Sequence, residues 1–317
     1  MKTVQCRSTT FARDTFAIAA DLYMPPPGDP LKHYPALVIT GPGSSVKEQI
    51  AANYARALAA RGFIVLTFDP AYQGASSGQP RDLESPAARI ADLRAAVDFL
   101  IRQNQVDDGR IGMLGVCAGG GYAAAGTMID HRVKALGVVV PSDIGNAFRK
   151  MAAVDDGISR LLETIAAQAT DEAHGAAPVL HQWIPDTLAE AEAAGIVDID
   201  MLQAITYYRT GRGQHANSTN RRHYLSDALI LGFDAFHLAE ILLTQPVQVI
   251  VAGNSAGTTG SFEDGYRLAG LAQAAQPVLE IAGARHYQMY DVPEYVGQAV
   301  GHLEQFFTRH LQADYYG

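Results

Sequence analysis

Short apolar segments alternate with longer segments of helical periodicity along most of the chain. The apolar runs are PALVITG, FIVLTFD and RIGMLGV, each followed by a helical pattern, and VKALGVVVP closes this series. Strands that alternate with amphipathic helices indicate a mostly parallel sheet with helices on both faces. Two earlier segments, KTVQCRS and TFAIAADLYM, alternate polar and apolar residues and predict an antiparallel pair at the start of the sheet.

This alternation stops after the sixth predicted strand and resumes near residue 241. Residues 145–240 contain helical segments such as GISRLLETIAAQATDEA and PDTLAEAEAAG, and no strand is predicted among them. The strands PVQVIVAG and PVLEIAG then complete a sheet of eight, and a last amphipathic helix follows. We therefore predict one α/β domain formed by residues 1–144 and 241–317, with residues 145–240 inserted as a helical cap.

The bulk composition narrows the classes of partner and compartment. The chain has 317 residues, a formal net charge of -9, 48% hydrophobic residues and 18% charged residues. This hydrophobic content is typical of a folded enzyme, and the negative charge disfavours nucleic acid because phosphate binding requires basic surface. No apolar run approaches the roughly 18 residues of a membrane span, and the start lacks the apolar core of a secretory signal. With two cysteines far apart in sequence, we expect a cytoplasmic protein without a disulfide.

The segment Gly115-Val116-Cys117-Ala118-Gly119 has the form G-x-nucleophile-x-G at a predicted strand-to-helix junction. In such a nucleophile elbow the central residue lies on a strained turn, and the flanking glycines avoid clashes. We expect the first amides of the following helix to lower the pKa of the Cys117 thiol. The Ala118 amide is then suited to an oxyanion hole. The alternative interpretation is a buried structural cysteine at a glycine-rich helix start.

A nucleophilic cysteine requires a histidine within hydrogen-bond reach. Among the ten histidines, His286 follows the last predicted strand on a loop before the final helix. Loops after the carboxyl ends of parallel strands are where active sites assemble, so His286 is the predicted base. His302 and His310 lie within the last helix and are interpreted as surface or packing residues.

Four segments together resemble the dienelactone-hydrolase-like branch of the α/β-hydrolase superfamily. They are PALVITGPGSSVKEQ, GVCAGGGYAAA, YYRTGRGQHANSTNR and GARHYQMYDVPEYV, and the similarity is greatest to polyketide transferase and thiohydrolase proteins. The resemblance covers nearly the whole chain and includes a cysteine in place of the usual serine. It implies the α/β-hydrolase fold, with a cap after the sixth strand, and acyl chemistry through an acyl-enzyme on Cys117. No cofactor is implied, and the cysteines and histidines show no metal-ligand spacing.

The carboxylate that orients His286 is open among three candidates. The fold places this acid shortly after the seventh strand, where the chain has Ala256. Asp143, directly after the sixth strand, is the first choice, and Glu263 or Asp264 is the second. Asp143 is equally suited to cap a helix, and Glu263 to interact with a helix dipole.

The turn TGPGSS after the third strand is expected to supply a second oxyanion amide. Pro42 has no N–H, so Ser44 is the candidate. Within the cap, the segment YYRTGRGQHANSTNRRHY is rich in arginine and tyrosine, and Tyr207, Arg209 and His215 are predicted substrate contacts. The alternative is a structural loop whose arginines bind acids and backbone carbonyls. Trp183 is predicted to lie in the core of the cap.

The sequence thus predicts an acyl hydrolase or acyltransferase that acts on an ester, lactone or thioester. Cys117 is the nucleophile, His286 the base, and water or a substrate nucleophile resolves the acyl-enzyme. The expected partner is a small acyl substrate, polyketide-derived and carrier- or CoA-linked ones included, and a homodimer is compatible with the sequence. One alternative is a non-hydrolytic cyclase or lyase of natural-product biosynthesis that uses His286 as general base. The other is a non-catalytic binding protein of the same fold.

Overall fold

A twisted, mostly parallel sheet forms the centre of the molecule. The computed structural model describes residues 3–27, 32–153, 156–254 and 257–312. The strands in chain order are Gln5–Arg13 (β1), Phe16–Met24 (β2), Tyr34–Thr40 (β3), Ile64–Phe68 (β4), Val106–Val116 (β5), Val133–Val139 (β6), Leu180–Gln182 (β7), Arg221–His223 (β8), Pro246–Ala252 (β9), Ala274–Ala275 (β10) and Leu279–Ile281 (β11). All but β7 and β8 belong to one nine-stranded sheet, in the order β1-β2-β4-β3-β5-β6-β9, with β10 and β11 both paired to β9.

Helices cover both faces of this sheet. They are Ile50–Ala59 (α1), Pro86–Ile101 (α2), Ala118–Ile129 (α3), Ile144–Ala152 (α4), Gly157–Ala173 (α5), Leu188–Ala193 (α6), Ile199–Tyr208 (α7), Leu225–Leu231 (α8), Ala239–Leu242 (α9), Ser261–Leu271 (α10) and Pro293–His310 (α11), with a 3-10 helix at His286–Tyr290. The buried apolar side chains of α2, α3 and α10 form one hydrophobic cluster against the sheet. Those of α1 and α11 form a second cluster on the opposite face.

The pairing directions confirm the predicted architecture. β1 pairs antiparallel with β2, and β2 pairs antiparallel with β4. The central strands β3, β4, β5, β6 and β9 pair in parallel. The sheet has one strand more than predicted, because Ala274–Ala275 pairs with the start of β9. Two residues are too few to show the alternation by which strands are predicted from sequence.

The chain between β6 and β9 lies outside the large sheet. In the residues that the structure describes, it contains the helices α4 to α9. The expectation of no strand here was wrong, because β7 and β8 form a short antiparallel ribbon in which Leu180 pairs with His223. The division into core and cap at residues 145 and 240 stays a prediction. Within the described ranges, no helix combines the length and apolarity that a membrane crossing requires.

Candidate active site

Cys117 lies on the sharp turn between the end of β5 and the start of α3. Its backbone has φ +57° and ψ -129°, a region that side-chain-bearing residues seldom adopt. The two flanking glycines permit this turn. A Cβ on Gly115 would lie 2.3 Å from the Gly119 carbonyl oxygen, and a Cβ on Gly119 would lie 2.4 Å from the Thr40 carbonyl oxygen. The segment therefore has the backbone conformation expected of a nucleophile elbow.

As a thiolate, the sulfur of Cys117 accepts two hydrogen bonds, from the Ala118 amide and from the Tyr290 hydroxyl. Burial nevertheless raises the pKa of this thiol to about 11, because the desolvation of a thiolate outweighs both donors. The expected lowering of the pKa by the helix N-terminus therefore does not prevail. Cys117 is a free, neutral thiol at pH 7 and requires a base at the moment of attack.

His286 is buried at the start of the 3-10 helix, and both of its ring nitrogens are hydrogen-bonded. Nδ1 lies 2.8 Å from Oγ of Ser261, and Nε2 lies 3.1 Å from the phenolic oxygen of Tyr290. Burial lowers the pKa of His286 to about 4, although the negative charge of Asp200 acts in the opposite direction. The imidazole is therefore neutral at pH 7 and free to accept a proton.

Four side chains thus form a continuous hydrogen-bonded row, in the order Ser261, His286, Tyr290 and Cys117. The cysteine and the histidine were predicted from the sequence, whereas the other two were not. The four-residue spacing from His286 to Tyr290 was an available signal, because residues so spaced share a face of a helical turn. Ser261, at the first turn of α10, has no comparable signal.

The structure does not bring Asp143 to His286. The Asp143 carboxylate caps α4 by accepting the Asn146 amide at 3.2 Å, and its second oxygen accepts Arg267 Nη1 at 3.0 Å. The capping interpretation therefore accounts for this buried acid. Its hydrogen bonds tie the end of β6 to α10 instead of orienting the imidazole.

The later candidates also lie apart from the imidazole. Glu263 is exposed on the first turn of α10. Asp264 accepts the Asp143 amide at 2.8 Å, and it also accepts the Asn146 side-chain amide. Position 256, where Ala256 was noted, lies outside the described residues. In the described part of the chain, Ser261 therefore occupies the place beside Nδ1 at which a carboxylate was predicted.

A carboxylate from the cap approaches the site instead. Asp200 on α7 is buried and accepts the Thr259 hydroxyl at 2.6 Å and the Thr259 amide at 3.3 Å. The approach is close, since a Cβ on Gly257 would lie 2.2 Å from this carboxylate. Its charge favours protonation of both His286 and Cys117. Asp200 was not predicted from the sequence, because α7 meets the site only in three dimensions.

A cavity of about 370 Å³ is lined by Cys117, by the turn after β3 and by residues of the chain between β6 and β9. Its wall is largely apolar and aromatic, formed by Ile144, Phe148, Met151, Trp183, Ile184, Met201, Tyr208 and Tyr287. Trp183 was predicted to lie in the core of the cap. It instead lines the wall of the cavity. It packs edge-on against Phe148, with ring centroids 6.2 Å apart. Such a wall suits an apolar organic group next to the thiol.

The turn after β3 lines the same cavity beside Cys117 and Ala118. Ser44 has φ +58°, and its carbonyl oxygen accepts the Ser218 hydroxyl of the cap at 3.0 Å. On the other side, the carbonyl oxygen of Pro42 accepts Arg89 Nη2 at 3.3 Å. Contacts from cap and core therefore hold this turn next to the thiol. The use of the Ser44 and Ala118 amides as an oxyanion hole stays a prediction.

The arginine-rich cap segment is mainly held by acids and carbonyls. Arg209 lines the cavity and pairs with Asp186 at 2.8 Å. Arg212 binds Asp291 through two nitrogens, at 2.6 and 2.8 Å. These contacts correspond to the structural-loop alternative for this segment.

The other two predicted substrate contacts do not line the cavity. Tyr207 is buried and packs edge-on against Tyr290, with ring centroids 5.0 Å apart. His215 lies next to Glu48, with 3.8 Å between Nδ1 and the carboxylate. Of the three residues predicted to contact substrate, only Arg209 borders the cavity.

Comparison with known proteins identifies relatives along nearly the whole chain. The family described as X-Pro dipeptidyl-peptidase (S15 family) matches residues 14–228. The uncharacterized protein YcjY of Escherichia coli (strain K12) is 35% identical over 94% of this chain and 95% of its own length. The polyketide transferase grgF of Penicillium sp is 28% identical over 56% of this chain and 62% of its own length.

Two solved structures share the architecture described above. The crystal structure of hypothetical protein PA2218 from Pseudomonas aeruginosa matches with a TM-score of 0.85 and 31% identity, covering 98% of this chain and 95% of that one. The crystal structure of alpha/beta hydrolase GrgF from Penicillium sp. sh18 matches with a TM-score of 0.73 and 17% identity, covering 97% and 99% of the two chains.

Proposed function

Because the chain belongs to the X-Pro dipeptidyl-peptidase (S15) family, we propose that it is an acyl hydrolase or acyltransferase with Cys117 as its nucleophile. The predicted α/β-hydrolase fold is confirmed by the structural likenesses, and the fold and family together indicate an enzyme. The observation that carries the finer proposal is the position of Cys117. It lies on a strained elbow at the floor of an apolar cavity, joined by hydrogen bonds to a neutral imidazole.

The reaction follows from the protonation states of the resting site. Cys117 is a thiol and His286 a free base, so attack on an acyl carbonyl transfers the sulfur proton to Nε2. A bond forms from sulfur to the acyl carbon, and the bond to the alcohol or thiol leaving group breaks. His286 returns its proton to that leaving group. Water or a second nucleophile then attacks the S-acyl enzyme, and its proton restores the thiol through the same histidine.

The partners of His286 determine its tautomer. For Nε2 to accept a proton, Nδ1 must carry the ring hydrogen and donate it to Ser261. Ser261 therefore orients the ring, as the carboxylate does in other nucleophile–histidine pairs. The positive charge that develops on His286 is stabilised at longer range by the buried carboxylate of Asp200.

The cavity favours an uncharged, apolar acyl group. Its two arginines are both paired with carboxylates, Arg209 with Asp186 and Arg222 with Asp227. Neither is therefore available to neutralise a carboxylate on the substrate. Esters, lactones and thioesters of apolar acids meet this requirement. The similarity to a protein named polyketide transferase supports a polyketide-like acyl group within this class.

The proposed function is tested by detecting the covalent acyl-enzyme intermediate. Purified protein is mixed with hexanoyl p-nitrophenyl ester or with the hexanoyl thioester of N-acetylcysteamine, and intact and peptide masses are recorded within seconds. We expect a hexanoyl adduct on Cys117 that is lost in Cys117→Ala and retained in Cys6→Ala, the matched removal of the other free thiol. Turnover that survives Cys117→Ala would instead support the cyclase or lyase alternative with His286 as base. A prolyl amide is included as a peptidase substrate.

A further inference from the structure

We propose that the phenolic hydroxyl of Tyr290 carries the proton between Cys117 and His286, so that Tyr290 is a catalytic residue of this site. The inference depends on the proposed function, because it concerns how the cysteine nucleophile is activated. In a direct cysteine–histidine pair the sulfur and a ring nitrogen are hydrogen-bonded to each other. Here the phenolic oxygen occupies the position between them.

The hydrogen bonds of the imidazole leave no free position for the sulfur. Each ring nitrogen makes one hydrogen bond in its plane, and the partners are Ser261 Oγ at 2.8 Å and the Tyr290 oxygen at 3.1 Å. The same phenolic hydroxyl is hydrogen-bonded to the Cys117 sulfur. Within the described residues, no hydrogen bond joins Cys117 directly to His286. The Tyr290 hydroxyl therefore links the sulfur to the base.

The proton transfers balance without any additional group. The Cys117 S–H donates to the Tyr290 oxygen, the Tyr290 O–H donates to Nε2, and Nδ1–H donates to Ser261. During attack, the sulfur proton moves to the phenolic oxygen while the phenolic proton moves to Nε2. Tyr290 is neutral before and after the transfer, the sulfur is bonded to the acyl carbon, and His286 is an imidazolium. Burial raises the pKa of the Tyr290 hydroxyl, so a stable phenolate does not compete with this concerted transfer.

Surrounding contacts fix the Tyr290 ring in this position. It is fully buried, and the rings of Tyr207 and Tyr287 each lie 5.0 Å away between centroids. Its backbone carbonyl accepts the Asn53 side-chain amide at 3.0 Å. The preceding Met289 carbonyl accepts the Tyr54 hydroxyl at 2.8 Å. A ring held at these points keeps its hydroxyl between sulfur and imidazole without a search over rotamers.

The chain contains an internal comparison for this arrangement. Its other cysteine, Cys6, is also hydrogen-bonded to a buried tyrosine, Tyr23. In the part of the chain that the structure describes, no histidine is bonded to Tyr23. The Cys6–Tyr23 pair therefore has the thiol and the phenol but lacks the base. Tyr23→Phe removes an equivalent buried hydroxyl far from the cavity and is the matched control.

The experiment measures the rate of hexanoyl transfer to Cys117 by stopped flow across pH. We expect Tyr290→Phe to slow acylation at pH 7 by about 100-fold or more, the usual range for loss of general-base assistance. The deficit should shrink toward pH 11, where the thiolate forms without a base. Tyr23→Phe should acylate at the wild-type rate. Acylation of Tyr290→Phe within threefold of wild type at pH 7 would overturn the relay.

Two further measurements distinguish loss of proton transfer through Tyr290, called the relay here, from misfolding of the variant and from failure of the proposed function. If Tyr290→Phe does not fold, a proton inventory in mixtures of H₂O and D₂O is taken on the wild-type protein. Two protons in flight give a curved dependence and support the relay, whereas a linear dependence contradicts it. If Cys117→Ala is acylated and turned over as fast as wild type, the proposed function itself fails. If Cys117→Ala is inactive and Tyr290→Phe is fully active, the proposed function is supported and only the proton transfer through Tyr290 is contradicted.

Discussion

The hydroxyl of Ser261 lies 2.8 Å from Nδ1 of His286, at the place where nucleophile–histidine pairs commonly have a carboxylate. A hydroxyl orients the ring as a carboxylate does, but it carries no charge to stabilise an imidazolium. Burial therefore lowers the pKa of His286 to about 4, although the negative charge of Asp200 acts in the opposite direction. The site combines a weak base with a thiol whose pKa is raised to about 11, so neither group ionises at rest.

The acid limb of the pH profile should reflect this weak base. Because His286 must be neutral to accept a proton, kcat/KM for an apolar ester should stay level from pH 7 to about pH 5 and fall only as pH approaches 4. An unperturbed histidine would instead produce a decline near pH 6.5. Initial rates in buffers of constant ionic strength, with refolding controls at each pH, measure this limb. A midpoint at 6.5 would contradict the buried, neutral imidazole.

Substitutions at Ser261 should separate orientation from charge. Ser261→Ala removes the partner of Nδ1, and we expect kcat/KM to fall by about 10-fold with little change in KM. Ser261→Asp places a carboxylate beside Nδ1, which raises the pKa of His286 and moves the acid limb upward. The comparison of the two variants is decisive. An acid limb that does not move in Ser261→Asp would show that this position does not control the base.

The nucleophile and the base could be predicted from the sequence because their positions depend on local patterns. Cys117 lies between glycines at a strand-to-helix junction, and His286 follows the last strand, so both were identified from position alone. The mostly parallel sheet followed from the alternation of strands and helices in the same way.

The remaining features depend on contacts between distant segments. Ser261 and Tyr290 become partners of His286 only when the start of α10 and the 3-10 helix meet. Asp200 arrives from the cap, and the chain pattern does not show which cap side chain enters the site. The thiol pKa was expected to be low because a helix dipole is visible in sequence, whereas the degree of burial around Cys117 is not.

The glycines of the elbow should tolerate substitution by alanine far less well than a helical glycine whose Cβ position faces open space. In Gly119→Ala the new Cβ would meet the Thr40 carbonyl oxygen at 2.4 Å, and backbone cannot move aside as a side chain can. We expect a loss of about 2 kcal/mol or more in the free energy of unfolding, together with loss of acylation. Gly301→Ala on α11 meets nothing within 4 Å and should stabilise by about 0.5–1 kcal/mol. Urea unfolding of both variants measures the contrast, and equal effects would contradict it.

Asp264 should make the protein less stable as pH rises. Burial raises its pKa to about 6, so its contribution to stability is fully present below pH 3.8 and is lost as pH rises through 6. Asp264→Asn does not ionise. The free energy of unfolding of the variant, minus that of wild type, should therefore increase between pH 4 and pH 7, by about 2–3 kcal/mol. Asp108→Asn, the same substitution at an exposed position, is the control, and urea unfolding of both variants across this pH range measures the difference.

Trp183 should determine how well the cavity distinguishes long acyl groups from short ones. Its ring forms part of the apolar wall, beside Phe148 and under the Arg222 guanidinium, which lies 4.8 Å from the ring centroid. We expect an acetyl group attached to Cys117 to cover less of this wall than a hexanoyl group, which is four carbons longer. Trp183→Ala should therefore lower kcat/KM for hexanoyl thioester by about 10- to 100-fold and leave the value for acetyl thioester nearly unchanged. Trp183→Phe keeps an aromatic wall and should retain most of the preference. An equal loss on both substrates would show that Trp183 holds the cap in place and does not contact the acyl chain.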